Sequence, residues 1–414
     1  MRNKITSLCV AVACSFGATA ASAEVVKFGL CYDLTKSYTF ATPWFAQAAQ
    51  DLATLVNSEG GINGNEVEII VRDTANEPQR GIECYEKLKH EGVFIFDTMS
   101  TPVSHAVLPR AMRDKNVMMQ SLVGRGDAIV GDVFDWIFPV GPTYWNQAAN
   151  NMEYIKQQSG GSLEDAKIAF VFMDHPFGYE PQPVLKKIAE TENAEIRYFP
   201  FPLPGVDQSS VWSQVRRYDP DWVMVWAISN MHVVSAREMR RNGIPMDKYI
   251  GANWLSEVDV ENMGDIAVGI KRGSVVSSDL DNPLRQEIVE KVYGAGNGAA
   301  SLSGTERTYY FVGLSLFSTA FEAVRLATEQ GDTPLTADMV RAGYEKIENF
   351  ENHQLTSPVT ITAEDHGGNT KTQIESWDGE KWVPETEWFS AYEDIVRSVA
   401  RESAQQYLES NSDD

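Results

Sequence analysis

Short apolar runs alternate with segments of helical periodicity from Val25 to Gln120, and after Gly141-Pro142 the alternation starts afresh. In the first set, Val25 to Leu30, Glu66 to Val71, Val93 to Phe96 and Val117 to Gln120 read as strands. Thr42 to Val56, Pro78 to Glu91 and Pro102 to Asp114 read as the helices between them, with prolines suited to a first turn. The second set runs through strands at Lys167 to Met173, Glu195 to Tyr198, Trp222 to Trp226 and Tyr249 to Ala252, again separated by helices. Such alternation means crossover units and parallel sheets covered on both faces. Two sets predict two doubly wound α/β lobes. The pattern breaks between Gly251 and Val276. Long helices are then expected over Thr305 to Thr328 and Thr336 to Lys346, and strands over Val359 to Thr362, Lys371 to Trp377 and Lys381 to Val383. Ala391 to Leu408 reads as a terminal amphipathic helix before a polar tail.

The first residues set the compartment. A short basic start with Arg2 and Lys4 precedes an uncharged run, and Ala21-Ser22-Ala23 then offers a small-residue cleavage site before Glu24. Residues 1–23 are therefore expected to be a secretory signal peptide, and the mature chain to reach the periplasm. No later stretch approaches the ~18 uncharged apolar residues of a membrane span, so no direct membrane insertion is expected. The chain carries 58 acidic against 35 basic residues, a formal charge of −23 that deepens to −25 once Arg2 and Lys4 are removed. That field disfavours nucleic acid and anionic lipid as partners. Cys31 and Cys84 are the cysteines left in the mature chain; an oxidising compartment permits their pairing, and sequence alone leaves it open. The scattered histidines show no metal-binding spacing, and no metal or cofactor is expected.

Ligands of open parallel sheets bind beyond the carboxyl ends of the strands. Three such ends in the first half carry polar or aromatic residues. They are Cys31 to Phe40 with Tyr38, Asp97 to Pro102 with Ser100 and Thr101, and Ser121 to Gly126 with Gly124 and Arg125. A Ser-Thr-Pro helix start offers hydroxyls and free N–H groups to an anion, and a guanidinium grips an oxyanion. The same residues make an ordinary helix cap and a solvated loop charge, and both readings stay open. In the second half the corresponding loops hold Asp174 to Tyr179, Ala227 to Asn230 and Asn253 to Glu257. No nucleophile elbow or phosphate loop accompanies Asp174 and His175, so no catalytic residue is assigned and the chain is not expected to be an enzyme.

Several segments together resemble the type I periplasmic binding proteins, in particular the branched-chain amino-acid-binding group that serves ABC importers. They are Tyr32-Asp33-Leu34-Thr35, Asn57-Ser58-Glu59-Gly60-Gly61-Ile62-Asn63-Gly64, Asp73 to Pro78 and Asp174-His175-Pro176-Phe177-Gly178. The resemblance covers about Val25 to Trp382 and implies two lobes joined by a three-segment hinge. By order of elements, residues 24–141 and 274–350 form lobe one, 142–273 and 351–390 lobe two, and 391–414 a C-terminal helix and tail. It further implies that Tyr38, Ser100, Thr101, Ser121 and Gly124 hold the ligand's polar end, while Phe177 and groups near Asn230 close over it; the loops themselves add Arg125 at the polar end and Trp254 to the cover. One departure shapes the ligand. The loop that usually supplies an acid for an α-ammonium here holds Asn253-Trp254. Some members have a disulfide at the places of Asn76 and Met99; this chain does not. With Tyr32, Tyr38, Trp44, Trp145, Phe177 and Trp254 near strand ends, the expected ligand is a small hydrophobic or aromatic carboxylate handed by a monomer to an ABC permease complex in the inner membrane. A branched-chain or other hydrophobic amino acid is the alternative ligand, and a ligand-sensing subunit of a signalling system the alternative role.

Overall fold

The computed structural model describes residues 24–410 apart from 121, 123, 332 and 333; the expected leader and Ser121 lie outside the described residues. One sheet comprises β1 (Val25–Tyr32), β2 (Glu66–Asp73), β3 (Ile95–Asp97), β4 (Val117–Met119) and β5 (Ile137–Phe138), in the order β2-β1-β3-β4-β5. All its pairings are parallel. The other comprises β6 (Lys167–Met173), β7 (Glu195–Phe201), β8 (Trp222–Trp226), β9 (Tyr249–Gly251), β10 (Lys271–Ser274), β11 (Gln373–Trp377) and β12 (Trp382–Pro384). Its order is β12-β11-β10-β9-β8-β6-β7, parallel except where β11 joins β10 and β12. The first lobe carries α1 (Thr42–Ser58), α2 (Pro78–His90) and α3 (Thr101–Asp114); the second carries α4 (Tyr144–Gln158), α5 (Pro176–Tyr179), α6 (Gln182–Glu192), α7 (Ser209–Tyr218), α8 (Asn230–Arg241) and α9 (Glu257–Met263). The chain then returns to the first lobe for α10 (Pro283–Ile288), α11 (Thr308–Ala327) and α12 (Ala337–Tyr344), and ends in α13 (Glu393–Ser410). The two doubly wound lobes read from the alternation are present.

Burial explains which runs became strands. Strand β6, paired on both sides, is buried along nearly its whole length, as a parallel strand covered on both faces must be. Helix α11 is long and apolar enough to cross a membrane by length and composition, against the expectation that no such stretch follows the leader. Its side chains are buried in the first lobe instead, where Gly313 lets it approach α1 closely. A Cβ there would stand 2.8 Å from that of Ala48 and 3.0 Å from the Phe45 Cα.

The chain passes between the sheets three times: between β5 and α4, just after β10, and before β11. The first and third passages are tied together by Gly141 N–H donating to the Gly367 carbonyl at 3.1 Å. Two expectations need correcting. Residues 351–368, placed with lobe two by order of elements, bond to the first lobe. Val359 forms no sheet strand but pairs with Phe350, Asp365 pairs with Val130, and the His366 ring stacks on Phe138 at 4.2 Å. Within the supposed break, Lys271–Ser274 forms β10. Its Lys-Arg-Gly-Ser sequence hides the strand because Arg272 is buried against Glu375 rather than solvated. Cys31 and Cys84 are bonded, fixing the end of β1 to α2.

Candidate ligand site

Asp33 shapes the first loop. Its carboxylate accepts N–H bonds from Thr35 at 3.1 Å, Lys36 at 2.8 Å and Tyr38 at 2.8 Å, so the chain after β1 curls and buries Tyr38. Ser100 caps α3, accepting from Val103 N–H at 3.5 Å and donating its own hydroxyl to Asn76 Oδ1 at 2.6 Å. Thr101 Oγ1 accepts from Gly124 N–H at 3.4 Å, joining the loop after β3 to the loop after β4. Gly124 itself lies at φ +81° against the Gln120 side chain, a backbone region that suits glycine.

From the second lobe, Trp254 crosses to meet these loops. Its ring centroid lies 6.0 Å from that of Phe40, 6.4 Å from Phe45 and 5.6 Å from Tyr309, all first-lobe side chains. Its Nε1–H donates to the Tyr144 hydroxyl at 2.9 Å. Tyr144 packs edge-on to Phe177 at 4.9 Å and Trp226 at 5.8 Å, while Phe40 stacks on Tyr38 at 6.1 Å. The result is a continuous body of aromatic rings between the lobes, with the distances and tilts that ring quadrupoles favour. Burial pushes the Tyr38, Tyr144 and Tyr309 hydroxyls up, so they stay protonated. Among the described residues, the Tyr38 hydroxyl, Trp226 Nε1 and both amide atoms of Asn253 are buried without a hydrogen-bond partner. Buried polar groups left this way cost free energy until something pairs with them.

Two clasps flank the rings. On one side Glu180 of the second lobe accepts Gly126 N–H at 3.2 Å and sits 3.3 Å from His105. On the other, Glu257 accepts the Thr308 hydroxyl at 2.8 Å. The lobes are thus closed on each other.

Of the residues singled out from sequence, Tyr38, Thr101, Phe177 and Trp254 meet at this ring body, with Ser100 and Gly124 beside it on the first lobe. Two do not. Arg125 forms a two-point pair with Asp127, Nε to Oδ1 at 2.8 Å, and lies over the Phe134 and Tyr407 rings at 5.2 and 4.7 Å; it is committed to structure rather than to an oxyanion. Asn230 is exposed at the start of α8. Phe40, Tyr144, Trp226 and Tyr309 were not singled out. Their signal was positional: the last residue of a strand for Trp226, the first turn of a helix for Tyr144 and Tyr309. Two carboxylates of the strand-end loops are engaged with other groups, Asp97 bonded to the Tyr32 hydroxyl and Asp174 exposed and accepting from Tyr179 at 2.7 Å.

Residues 25–381 match the model of the family described as periplasmic binding protein. The chain is a type I periplasmic binding protein. A structure titled as an ABC transporter permease from the Pseudomonas fluorescens group is similar at 28% identity and a TM-score of 0.85, covering 93% of this chain and 97% of its own. A branched-chain amino-acid ABC transporter protein from Thermus thermophilus, with bound valine, is similar at 19% identity and a TM-score of 0.77, covering 91% and 99%. A fatty-acid ABC transporter substrate-binding protein from Thermomonospora curvata follows at 20% identity and 0.76, covering 91% and 94%. Comparison with curated proteins gives no match. Like its family, this periplasmic binding protein is an extracytoplasmic solute-binding protein of the kind that serves ABC transporters, and not an enzyme. Two lobes that clasp each other across buried rings are the machinery such a protein needs: hinge closure converts contacts with a solute into a change of shape.

Proposed function

We propose that this protein, exported through a cleaved leader and acting as a monomer, delivers a small hydrophobic or aromatic carboxylate to an ABC permease. The observation that carries the ligand class is a ring body whose unpaired buried atoms are neutral, with the acids around it engaged elsewhere: Asp97 with Tyr32, Asp174 with Tyr179, Glu180 with Gly126 and His105, and Glu257 with Thr308. An α-ammonium buried there without a carboxylate would carry a large desolvation cost. A carboxylate fits better at the first-lobe end, where the start of α3, capped by Ser100 and followed by Thr101, presents the positive end of a helix dipole, and Gly124 offers adaptable backbone. Valine and fatty acids, named with two of the similar structures, share an apolar body and a carboxylate. Valine favours the alternative, a hydrophobic amino acid, which would need a neutral group such as Asn253 to receive its ammonium.

The test is a thermal-shift screen of aromatic acids, short fatty acids, free α-amino acids and small amides. A ligand that binds the native chain alone stabilises it by ~2.7 kcal/mol at a hundredfold excess over Kd. Hydrophobic carboxylates are expected to raise the Tm, and Trp254→Ala to abolish the shift. Shifts confined to free α-amino acids would overturn the ligand class and leave solute binding standing.

A further inference from the structure

The terminal amphipathic helix is seated on both lobes. Val396, Ala400 and Ala404 recur every four residues and are buried on one face of α13. Its first turns belong to the second lobe. Ala391 N–H donates to Asn150 Oδ1 of α4 at 2.8 Å, and the Tyr392 hydroxyl donates to Glu192 of α6 at 3.1 Å. Its last turns belong to the first lobe. The Ser403 hydroxyl donates to Asp127 Oδ2 at 2.7 Å, and the Tyr407 ring lies 4.9 Å from Phe134. Between them Arg397 pairs with Asp365 at 2.9 Å. At 1.5 Å per residue the helix is roughly 27 Å long, enough to cross from one lobe to the other.

The first-lobe end grips the base of the loop after β4. Arg125 is held between Asp127 and the Phe134 and Tyr407 rings, and its backbone is bonded both ways to the Gln120 side chain, at 3.0 and 3.3 Å. Gln120 in turn abuts Gly124, whose N–H reaches Thr101. Gly126 faces the Trp145 indole of the second lobe so closely that a Cβ would stand 2.3 Å from it. The same short segment therefore touches the ligand loop, the opposite lobe and the terminal helix.

We propose that α13 is an interlobe strap, and that Tyr407 and Ser403 are positioning residues that hold the loop after β4 in its ligand-ready form through Arg125 and Asp127. The inference rests on that loop belonging to the ligand site, as proposed above. A rotation about the hinge must slide one end of a helix seated on both lobes. The contacts at Tyr407 and Ser403 are made with the lobes closed, so they weight the equilibrium toward closure before any solute arrives.

The test uses the full chain without ligand, so a wrong ligand class does not affect it. Spin labels attached through Lys115→Cys on the first lobe and Lys187→Cys on the second, both at exposed positions, report the interlobe distance. Hydrogen exchange reports the loop. The Tyr407→Ala/Ser403→Ala pair is expected to add a longer-distance population and to speed exchange over residues 124–130 about tenfold. Tyr407→Phe, which keeps the ring, should restore both readouts, and Leu408→Ala, at an exposed position, should leave both unchanged. An unchanged distance distribution, with faster exchange confined to residues 393–410 or a lower Tm alone, would reduce α13 to a surface prop and overturn the inference.

Discussion

The lobes face each other across two unlike regions. The ring body beyond the strand ends is packed, aromatic and uncharged, yet it contains buried polar atoms with no partner among the described residues. Beside the hinge strands lies a groove of about 730 Å³ bordered by Glu257, Thr308, Glu375, Trp377, Lys381 and Trp382. It is roomy and charged, but its main charges are already engaged. Glu257 is bonded to Thr308, Glu375 to Arg272 at 2.8 Å, and the Arg272 guanidinium lies over Trp382 at 4.3 Å. Empty volume lies at the groove, where Trp382 Nε1 is also buried without a partner among the described residues, whereas the ring body gathers several such atoms: the Tyr38 hydroxyl, Trp226 Nε1 and both amide atoms of Asn253. Unmet bonding demand is the better guide, because space beside a hinge follows from lobe geometry while an unpaired buried donor or acceptor has a cost that folding alone does not recover.

The largest expected effect tests whether the groove wall is structural. Arg272→Met leaves the Glu375 carboxylate buried without its cation and should cost about 3–5 kcal/mol, measured by urea unfolding. Adding Glu375→Leu should recover most of the loss. Solute binding found in the screen should survive in the double variant; its disappearance there would move the site into the groove. A smaller effect tests the dryness of the loop that presents Asn253 and Trp254. Burial pushes the Asp259 carboxyl beneath it up from 3.8 to about 6, and pushes the nearby His232 down from 6.5 to about 3. The raised carboxyl contributes stability that is complete below pH 3.8 and lost as pH rises through about 6, worth roughly 3 kcal/mol at most. The depressed imidazole works the other way, contributing stability present above pH 6.5 and lost as pH falls toward 3. The two oppose each other between about pH 4 and 6. Asp259→Asn should therefore make stability climb more steeply with pH across that window. A slope identical to that of the unsubstituted chain would mean the loop is wet.

The fold was legible because strands of a parallel sheet are continuous apolar runs, and Lys167–Met173 and Trp222–Trp226 announce themselves as such. Strand β10 was hidden because Lys271 and Arg272 read as surface, whereas Arg272 meets Glu375 more than a hundred positions away and Lys271 Nζ donates to the Asp247 and Gly269 carbonyls. The site was half legible for a related reason. Phe177 and Trp254 follow strands directly, so their place at the cleft could be read along the chain. Tyr144 and Tyr309 reach it from helix starts on opposite lobes, a pairing that depends on how the lobes close. Arg125 reads either way from sequence because its partners are split between a neighbour, Asp127, and Tyr407 on a helix far along the chain. Long-range partners, rather than unusual local chemistry, account for these misses.

The finest contrast lies between two first-lobe hydroxyls. Ser100 spends its hydrogen on Asn76 and its oxygen on a helix cap, whereas the Tyr38 hydroxyl, equally buried, has no partner among the described residues. Ser100→Ala should lower stability by about 1 kcal/mol, as lost helix caps do, and weaken binding with it. Tyr38→Phe removes a group that costs the free protein and gains it nothing, so the Tm should hold or rise slightly. If that hydroxyl meets the solute, affinity falls by about tenfold at the same time, one hydrogen bond's worth. Stability and affinity moving in opposite directions is the signature of a group held in readiness for a ligand. Glu380→Gln at the groove rim, where the side chain is exposed, should move neither quantity. Equal losses of Tm and affinity in Tyr38→Phe would make that hydroxyl a packing element and return the choice between the two regions to the groove.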